Sequence, residues 1–517
     1  MPHDGVLYRS RGSVLLIGDS PAAADAAREL IKRAPKLRIA LFAPGVAALE
    51  DLPAGITAVG GRIASLSGHL GQFSASVRVA ADKVDDAGIF SGNEDRRFDL
   101  VLDLCREPLL RQNVLPYGYY APGGDAAALV VALDSLSQLV GDFHKPKYFD
   151  YRSQLCAHGA MGVAGCTRCL DVCDTTAIRS AGEKIEVDPY LCQGCASCTL
   201  ACPTGALSFQ QPATKTLRGK LNELLTARGG DAGILVVHDA ASRHLLPTMD
   251  PSAVLLLEVD PLPAFSEVLW LKALLGGIKG VVLVPAPTTP PQSSELMQQK
   301  VAELRAILAC YGGDAARLQI ATPVTVDHSI EKIKSTSVSS MRTAPVNDSP
   351  LDEKRMQLLN LLDALGQLWQ TDSPRPCPVP PGSPFGTVVV NETKCTICHA
   401  CTHLCPTGAL SGQLDPAPVL SFKESLCIQC DLCRAGCPEK AITLQPRFLT
   451  DALRREALRE LASDQLVPCS RCGTPYIGRR KLEVSVALMR EHAQDMPGGI
   501  DSLRMCPSCR QHETLIG

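Results

Sequence analysis

The chain has 517 residues, of which 20% are charged, with a formal net charge of −3 and a pI near 6.4. That length corresponds to roughly three to four domains, and the near-neutral balance gives no basis for nucleic-acid binding or a polybasic membrane patch. The opening MPHDGVLYRSRGSVLLIG holds no signal-like apolar core or twin-arginine motif, and the longest apolar stretch, VLWLKALLGGIKGVVLV at 268–284, is broken by Lys272 and Lys279, so a cytoplasmic chain without a transmembrane segment is expected.

In chain order, residues 12–45 read as strand, turn, helix, strand: Val14 to Ile17 form a buried strand, Ala22 to Arg33 a helix and Arg38 to Phe42 a second strand. FDLVLDLC at 98–105 supplies a further strand. The pattern resembles a Rossmann opening. Its turn, Gly18-Asp19-Ser20-Pro21-Ala22-Ala23, lacks the second and third glycines that admit a pyrophosphate, and no acid closes the second strand to hold a ribose. A structural, degenerate Rossmann-like α/β domain over residues 1–145 is preferred to a dinucleotide site.

The chain has 23 cysteines, twenty of them in clustered runs, and in a long chain without a secretion signal such runs bind metal more often than they pair as disulfides. Cys192, Cys195, Cys198 and Cys202, followed by Pro203, have the spacing C-x2-C-x2-C-x3-C-P. The run before it, Cys156, Cys166, Cys169 and Cys173, is irregular: nine residues replace two after Cys156, and Asp174 stands where proline is expected. This region, 146–212, resembles a bacterial ferredoxin with an expanded first loop, in which the fourth cysteine of each run serves the other cluster. The resemblance implies one [4Fe–4S] set of Cys156, Cys166, Cys169 and Cys202, and a second of Cys192, Cys195, Cys198 and Cys173. Cys156 is the weakest member. A buried free thiol is the alternative there, with His158 as a substitute ligand.

Residues 213–322 alternate apolar strands (GILVVHD, AVLLLEV, GVVLVPA) with helical stretches, which implies a parallel sheet covered by helices. Their order resembles the delta-subunit domain of methyl-viologen-reducing hydrogenases, without that family's cysteine ligands: Cys310 stands alone. A scaffold or docking surface is expected. Residues 323–384 read as linker with one helix, introduced by the capping box Ser349-Pro350-Leu351-Asp352 and marked by Leu358, Leu361, Leu362, Leu365 and Leu368 on one face; the proline-rich RPCPVPPGSP at 375–384 reads as irregular.

Residues 385–447 carry two regular runs 32 residues apart, Cys395, Cys398, Cys401, Cys405 and Cys427, Cys430, Cys433, Cys437, the fourth cysteine of each followed by proline. Proline lacks an amide hydrogen and turns the chain away after the last ligand. The pair resembles a complete two-cluster ferredoxin domain, which implies sets of Cys395, Cys398, Cys401 with Cys437, and of Cys427, Cys430, Cys433 with Cys405. Structural zinc in some of the runs is the alternative. His399 and His403 lie inside a loop with no vacant ligand position and are expected at the surface or in hydrogen bonds.

At 448–517, Cys469 and Cys472 of VPCSRCG and Cys506 and Cys509 of MCPSCR are two C-x2-C knuckles separated by 33 residues that include the helix-like LEVSVALMREH. A closed four-cysteine site for zinc in a zinc-ribbon-like segment is expected, with rubredoxin-like iron as the alternative. Cys105, Cys310 and Cys377 read as ordinary thiols.

The expected fold class is therefore multidomain α/β plus α+β: a Rossmann-like N-terminal sheet, two ferredoxin-type two-cluster modules, a central parallel α/β domain and the zinc-ribbon-like segment. No catalytic acid, base or nucleophile set stands out. Four-thiolate clusters move single electrons, so a polyferredoxin with four [4Fe–4S] clusters and one zinc is expected. Loaded in that way the chain would carry a formal charge of about −13, which favours a redox partner with a basic face. The whole arrangement resembles four-cluster ferredoxin proteins of proteobacteria that accompany formate dehydrogenase, which implies that enzyme as partner; a maturation factor or an electron-transfer subunit of an oxidoreductase complex is the alternative.

Overall fold

In the strand Ser13–Ile17 all five residues are buried, and strand geometry sends successive side chains to opposite faces. Val14 and Leu16 pack with Ala23, Ala27 and Leu30 of the helix Ser20–Arg33, while Leu15 and Ile17 pack with Phe73 and Val77 on the other side. The strand is the centre of a five-stranded parallel sheet, ordered Ile56–Gly60, Arg38–Ala43, Ser13–Ile17, Leu100–Asp103, Tyr119–Tyr120. Helices Ser20–Arg33 and Ala126–Gln138 cover one face, and an antiparallel sheet of Arg62–Ser67, Ser74–Ala80 and Lys83–Asp86 covers the other. The computed structural model describes residues 5–18, 20–44, 52–80, 83–228, 233–336, 354–369, 375–492 and 499–516. Asp19 of the first turn and the capping box at 349–352 lie outside them.

The central region is a second parallel sheet, ordered Val254–Glu258, Ile234–His238, Gly280–Val284, Leu318–Ile320. Its middle strands are buried throughout, as expected for a sheet covered on both faces. Helices Glu267–Leu275 and Pro291–Cys310 pack on one face around the fully buried Trp270. On the other face lies helix Val326–Lys334, whose Val326, Ile330 and Ile333 contact Val236 and Val282. The apolar stretch at 268–284 is thus a buried helix followed by a core strand, and no helix among the described residues is long and apolar enough to cross a membrane.

The stretch 323–384 differs from a linker wherever it is described. Helix Val326–Lys334 opens it, and helix Lys354–Trp369 docks Leu358, Leu359, Leu361, Leu362 and Leu365 into the central core. Each leucine fully withdrawn from water stabilises the packed state by roughly 1.5–3 kcal/mol, enough in sum to hold the helix in place. In the proline-rich segment, Pro376–Cys377 pairs with Phe448–Leu449, and Cys377, Val379 and Phe385 join the same core. A prolyl residue has no amide hydrogen to donate, but that does not prevent burial of its neighbours. Cys310 and Cys377, read as separate thiols, are joined by a disulfide with their Cα atoms 6.2 Å apart, because the end of one helix and the proline-rich strand meet on that core.

The two cysteine-rich regions repeat one design of paired antiparallel ribbons. In the first, Phe149–Tyr151 pairs with Leu207–Phe209 and Ile178–Ala181 with Lys184–Val187. In the second, Gly386–Val390 pairs with Ile442–Pro446 and Leu410–Gln413 with Val419–Lys423, the last also joined by Leu458–Ser463. Leu200 and Phe209 of the first region and Phe385 and Phe448 of the second belong to the same hydrophobic core as Trp270, so one scaffold fixes both.

Candidate metal centres

The regular runs share a backbone device. The residues on either side of the middle cysteine are left-handed in all three: Gly194 and Ala196 around Cys195, Ile397 and His399 around Cys398, Gln429 and Asp431 around Cys430. Non-glycine residues pay steric strain in this region, so its recurrence marks a loop whose shape is imposed by function. The curl turns the amide two residues after the first cysteine toward that cysteine's sulfur, as at Gly194, Ile397 and Gln429. A one-turn helix then carries the third cysteine: Ser197–Ala201, Ala400–Leu404 or Leu432–Ala435, with Arg168–Asp171 doing so in the irregular run. The fourth cysteine follows each helix. Hydroxyls of Thr175, Thr204 and Thr407 lie 3.5, 3.6 and 3.7 Å from the sulfurs of Cys173, Cys202 and Cys405, and the Ala441 amide donates to Cys437 at 3.3 Å.

The folds of the loops gather the thiols three and one. Cys156, Cys166, Cys169 and Cys202 line one cavity. Cys405, Cys427, Cys430 and Cys433 line another. After burial, the Cys198 thiol is raised by Cys195, Cys192 and Cys173 ahead of Cys169, and the Cys401 thiol by Cys395, Cys398 and Cys437. Each group therefore takes three thiols from one run and the fourth from its partner. Burial, followed by these mutual repulsions, pushes Cys192 up to about 11 and Cys401 and Cys430 up to about 12, and raises Cys169, Cys198 and Cys433. Four thiolates cannot share such a cavity without a cation to offset them. The donor set fits a group that is positively charged at its core.

The expanded first loop is a small hairpin, Gly159–Ala160 against Val163–Ala164, which returns the chain so that Cys156 and Cys166 face the same cavity. His158 does not face it as a free donor: Nδ1 bonds the Cys166 carbonyl at 2.9 Å and Nε2 pairs with the Ser180 hydroxyl at 2.7 Å. His399 Nε2 bonds the Val419 carbonyl at 3.2 Å, and His403 is exposed.

The C-terminal knuckles are built differently. The sulfurs of Cys469, Cys472, Cys506 and Cys509 all lie within 4.8 Å of one another, the one such group of donors among the described residues. Cys472 and Cys506 are 3.7 Å apart, about the edge of a tetrahedron with bonds of ~2.3 Å to a central ion. Backbone amides of Cys506 and Arg471 donate to the Cys469 sulfur at 3.2 and 3.4 Å, and hydrogen bonding by Cys506 first of all lowers that thiol to about 6. Cys509 is pushed up to about 12, chiefly by Cys506. Only the first knuckle sits on a β-hairpin, Leu466–Pro468 with Pro475–Gly478; the second enters helix Pro507–Ile516, because Pro507 pre-sets the first helical turn.

Sequence reasoning missed the cations around these groups. Lys145 Nζ donates to the Cys192 carbonyl at 2.7 Å, and burial lowers it to about 8. Arg355 donates to the carbonyls of Ser425, Pro384 and Cys427 at 3.0, 2.9 and 2.7 Å, and burial lowers it to about 10. Arg480 reaches the carbonyls of Glu392 at 2.6 Å and Cys395 at 3.5 Å. Arg168 lies 3.7 Å from the Cys166 sulfur. Beside Arg355, Lys354 bonds the Thr199 and Leu200 carbonyls at 3.0 and 2.9 Å, so two adjacent residues at one helix start clamp both cysteine-rich regions. Nothing in the local pattern at 354–355 announces this; it arises only in the packed structure.

Two family descriptions match the chain. A 4Fe-4S dicluster domain matches residues 394–442, and a 4Fe-4S binding domain matches residues 184–207. The chain therefore carries ferredoxin-type iron–sulfur binding domains in both cysteine-rich regions. No match is found among the curated proteins.

Proposed function

We propose that the protein is a polyferredoxin that relays single electrons through four [4Fe–4S] clusters to or from a redox enzyme. The observation that carries this reading is the gathering of eight thiols around two cavities, three from one run and one from its partner at each, and the other two sets are proposed by the same rule. The ligand sets are Cys156, Cys166, Cys169, Cys202; Cys192, Cys195, Cys198, Cys173; Cys395, Cys398, Cys401, Cys437; and Cys427, Cys430, Cys433, Cys405. A bound cluster supplies one-electron reduction without making or breaking a covalent bond to the protein. The chain's own residues set how readily that happens. Amides and threonine hydroxyls at the sulfurs, and the cations Lys145, Arg168, Arg355 and Arg480, favour the more negative reduced state; burial opposes it.

Zinc is the proposed occupant of the Cys469, Cys472, Cys506 and Cys509 site, in a structural role, since four thiolates leave no open position. The N-terminal sheet, with its strand order, is proposed as a Rossmann-like scaffold over residues 1–145, and residues 213–322 as a second scaffold. The likeness of the latter to the hydrogenase delta-subunit domain, and a formate dehydrogenase as partner, rest on sequence resemblance alone. A cytoplasmic location fits the twenty clustered thiols held for metal, whereas the Cys310–Cys377 disulfide is a feature that a reducing compartment disfavours.

Redox titration of the anaerobically purified chain, followed by electron paramagnetic resonance (EPR), tests the relay. All four centres should reduce with dithionite and reoxidise without loss of iron; centres that form but never change oxidation state would defeat it.

A further inference from the structure

The two cysteine-rich regions touch along one line. Gly165, just before Cys166, has no room for a side chain: a Cβ there would stand 2.5 Å from Leu432 Cγ. Ile428 lines the cavity of the Cys156 set, although it belongs to the loop of the Cys427 set. Arg168 spans the seam, donating to the carbonyls of Ile428 and Gln429 at 3.3 Å each and of Gly382 at 3.2 Å, with the Cys166 sulfur at 3.7 Å.

Building on the four-cluster reading, we infer that the sites run in single file, Cys192 set, Cys156 set, Cys427 set, Cys395 set, with Arg168 as the positioning residue of the middle junction. Within each region the neighbours are fixed by sharing two runs. Across the seam, Ile428 of the Cys427 loop lines the cavity of the Cys156 set, and Gly165, next to Cys166, abuts Leu432, next to Cys433, so these are the two sets that meet. The outer sets are covered by other parts of the chain. Lys145 of the strand Gly141–Lys145 lies on the Cys192 set, and Arg480 of the helix Arg479–His492 lies on the Cys395 set. A one-electron donor protein at one end and a one-electron acceptor at the other complete the transfer: each hop oxidises one site and reduces the next, and no bond is made or broken.

The order can be read by removing one charge at a time from the anaerobic full-length protein. Loss of a cation lowers the potential of every site close to it. R168Q should lower the midpoint potentials of two sites and leave two unmoved, and R168K, which keeps the charge, should bring both back toward wild type. K145Q and R480Q should each lower one site, and a different one. Should R168Q move one site, none or all four, the middle junction is wrong. The wild-type spectrum gives an independent reading that needs no variant: fully reduced, a file of four sites requires three nearest-neighbour spin couplings, and a spectrum accounted for by two separate coupled pairs overturns the order. Iron content is measured first. Well under sixteen iron atoms per wild-type chain would count against the four clusters themselves rather than against their order.

Discussion

The two cysteine-rich regions differ in a way that shows what the ferredoxin spacing is for. The region at 395–437 keeps both runs regular, with proline after each fourth cysteine. The region at 156–202 breaks the pattern twice, and both breaks are contacts with the rest of the molecule. The extra residues after Cys156 form the hairpin that lies against Leu432 of the other region. Asp174, in the proline's place, accepts from Asn113 at 3.0 Å and from Ser293 at 2.9 Å, tying the N-terminal and central sheets to the Cys173 loop. Loop curvature at the fourth cysteine survives the change: Thr176, Gly205, Gly408 and Lys440, each three residues after that cysteine, are all left-handed. The proline is thus dispensable for the turn, and an interface can claim its position.

The largest effects should come from testing whether the irregular run is the equal of the regular ones. Cys156→Ser and Cys395→Ser should each cost one cluster, iron falling from about sixteen to about twelve per chain; retention of all the iron by Cys156→Ser would remove it from the ligands. Next, Asp174→Ala should destabilise the fold by about 1–3 kcal/mol in denaturant unfolding by taking the carboxylate acceptor from the buried Ser293 hydroxyl and from the exposed Asn113 amide, while Pro438→Ala in the regular region should cost less. A pH series sharpens the same contrast. Burial raises the Asp174 carboxyl above its unfolded value, so the native state binds the proton more readily and stability falls as pH rises from the unfolded pKa through the folded one. Asp174→Asn should flatten that part of the profile, and an unchanged slope would assign it to another group. The smallest effect is expected where the regions agree: Thr204→Val and Thr407→Val each remove one hydroxyl near a sulfur and should lower the potential of one cluster slightly and to a similar extent, with iron content intact.

Much of the architecture was legible because its signals are local. The unbroken apolar run Val14 to Ile17 and the leucines of 358–365 mark their elements directly, and the spacing of the regular runs specifies the curled loop and the short helix after it. What escaped is tertiary. Lys145, Arg355 and Arg480 lie far along the chain from the thiols they neighbour, and a lone lysine or arginine carries no spacing to read. The stretch at 375–384 is irregular apart from Pro376–Cys377, as its prolines imply, but it is no loose linker, because proline content reports on backbone amides while Cys377 and Val379 are held by burial. The second knuckle reads as part of a ribbon until Pro507 is recognised as the first residue of a helix.

Quantifying iron, acid-labile sulfide and zinc together in one anaerobic preparation tests most directly whether the molecule holds two kinds of sulfur site. Four cubes and one knuckle ion predict about sixteen iron, about sixteen sulfide and about one zinc per chain. About five zinc with no labile sulfide would mean that every cysteine set holds a single ion, and would contradict electron transfer altogether.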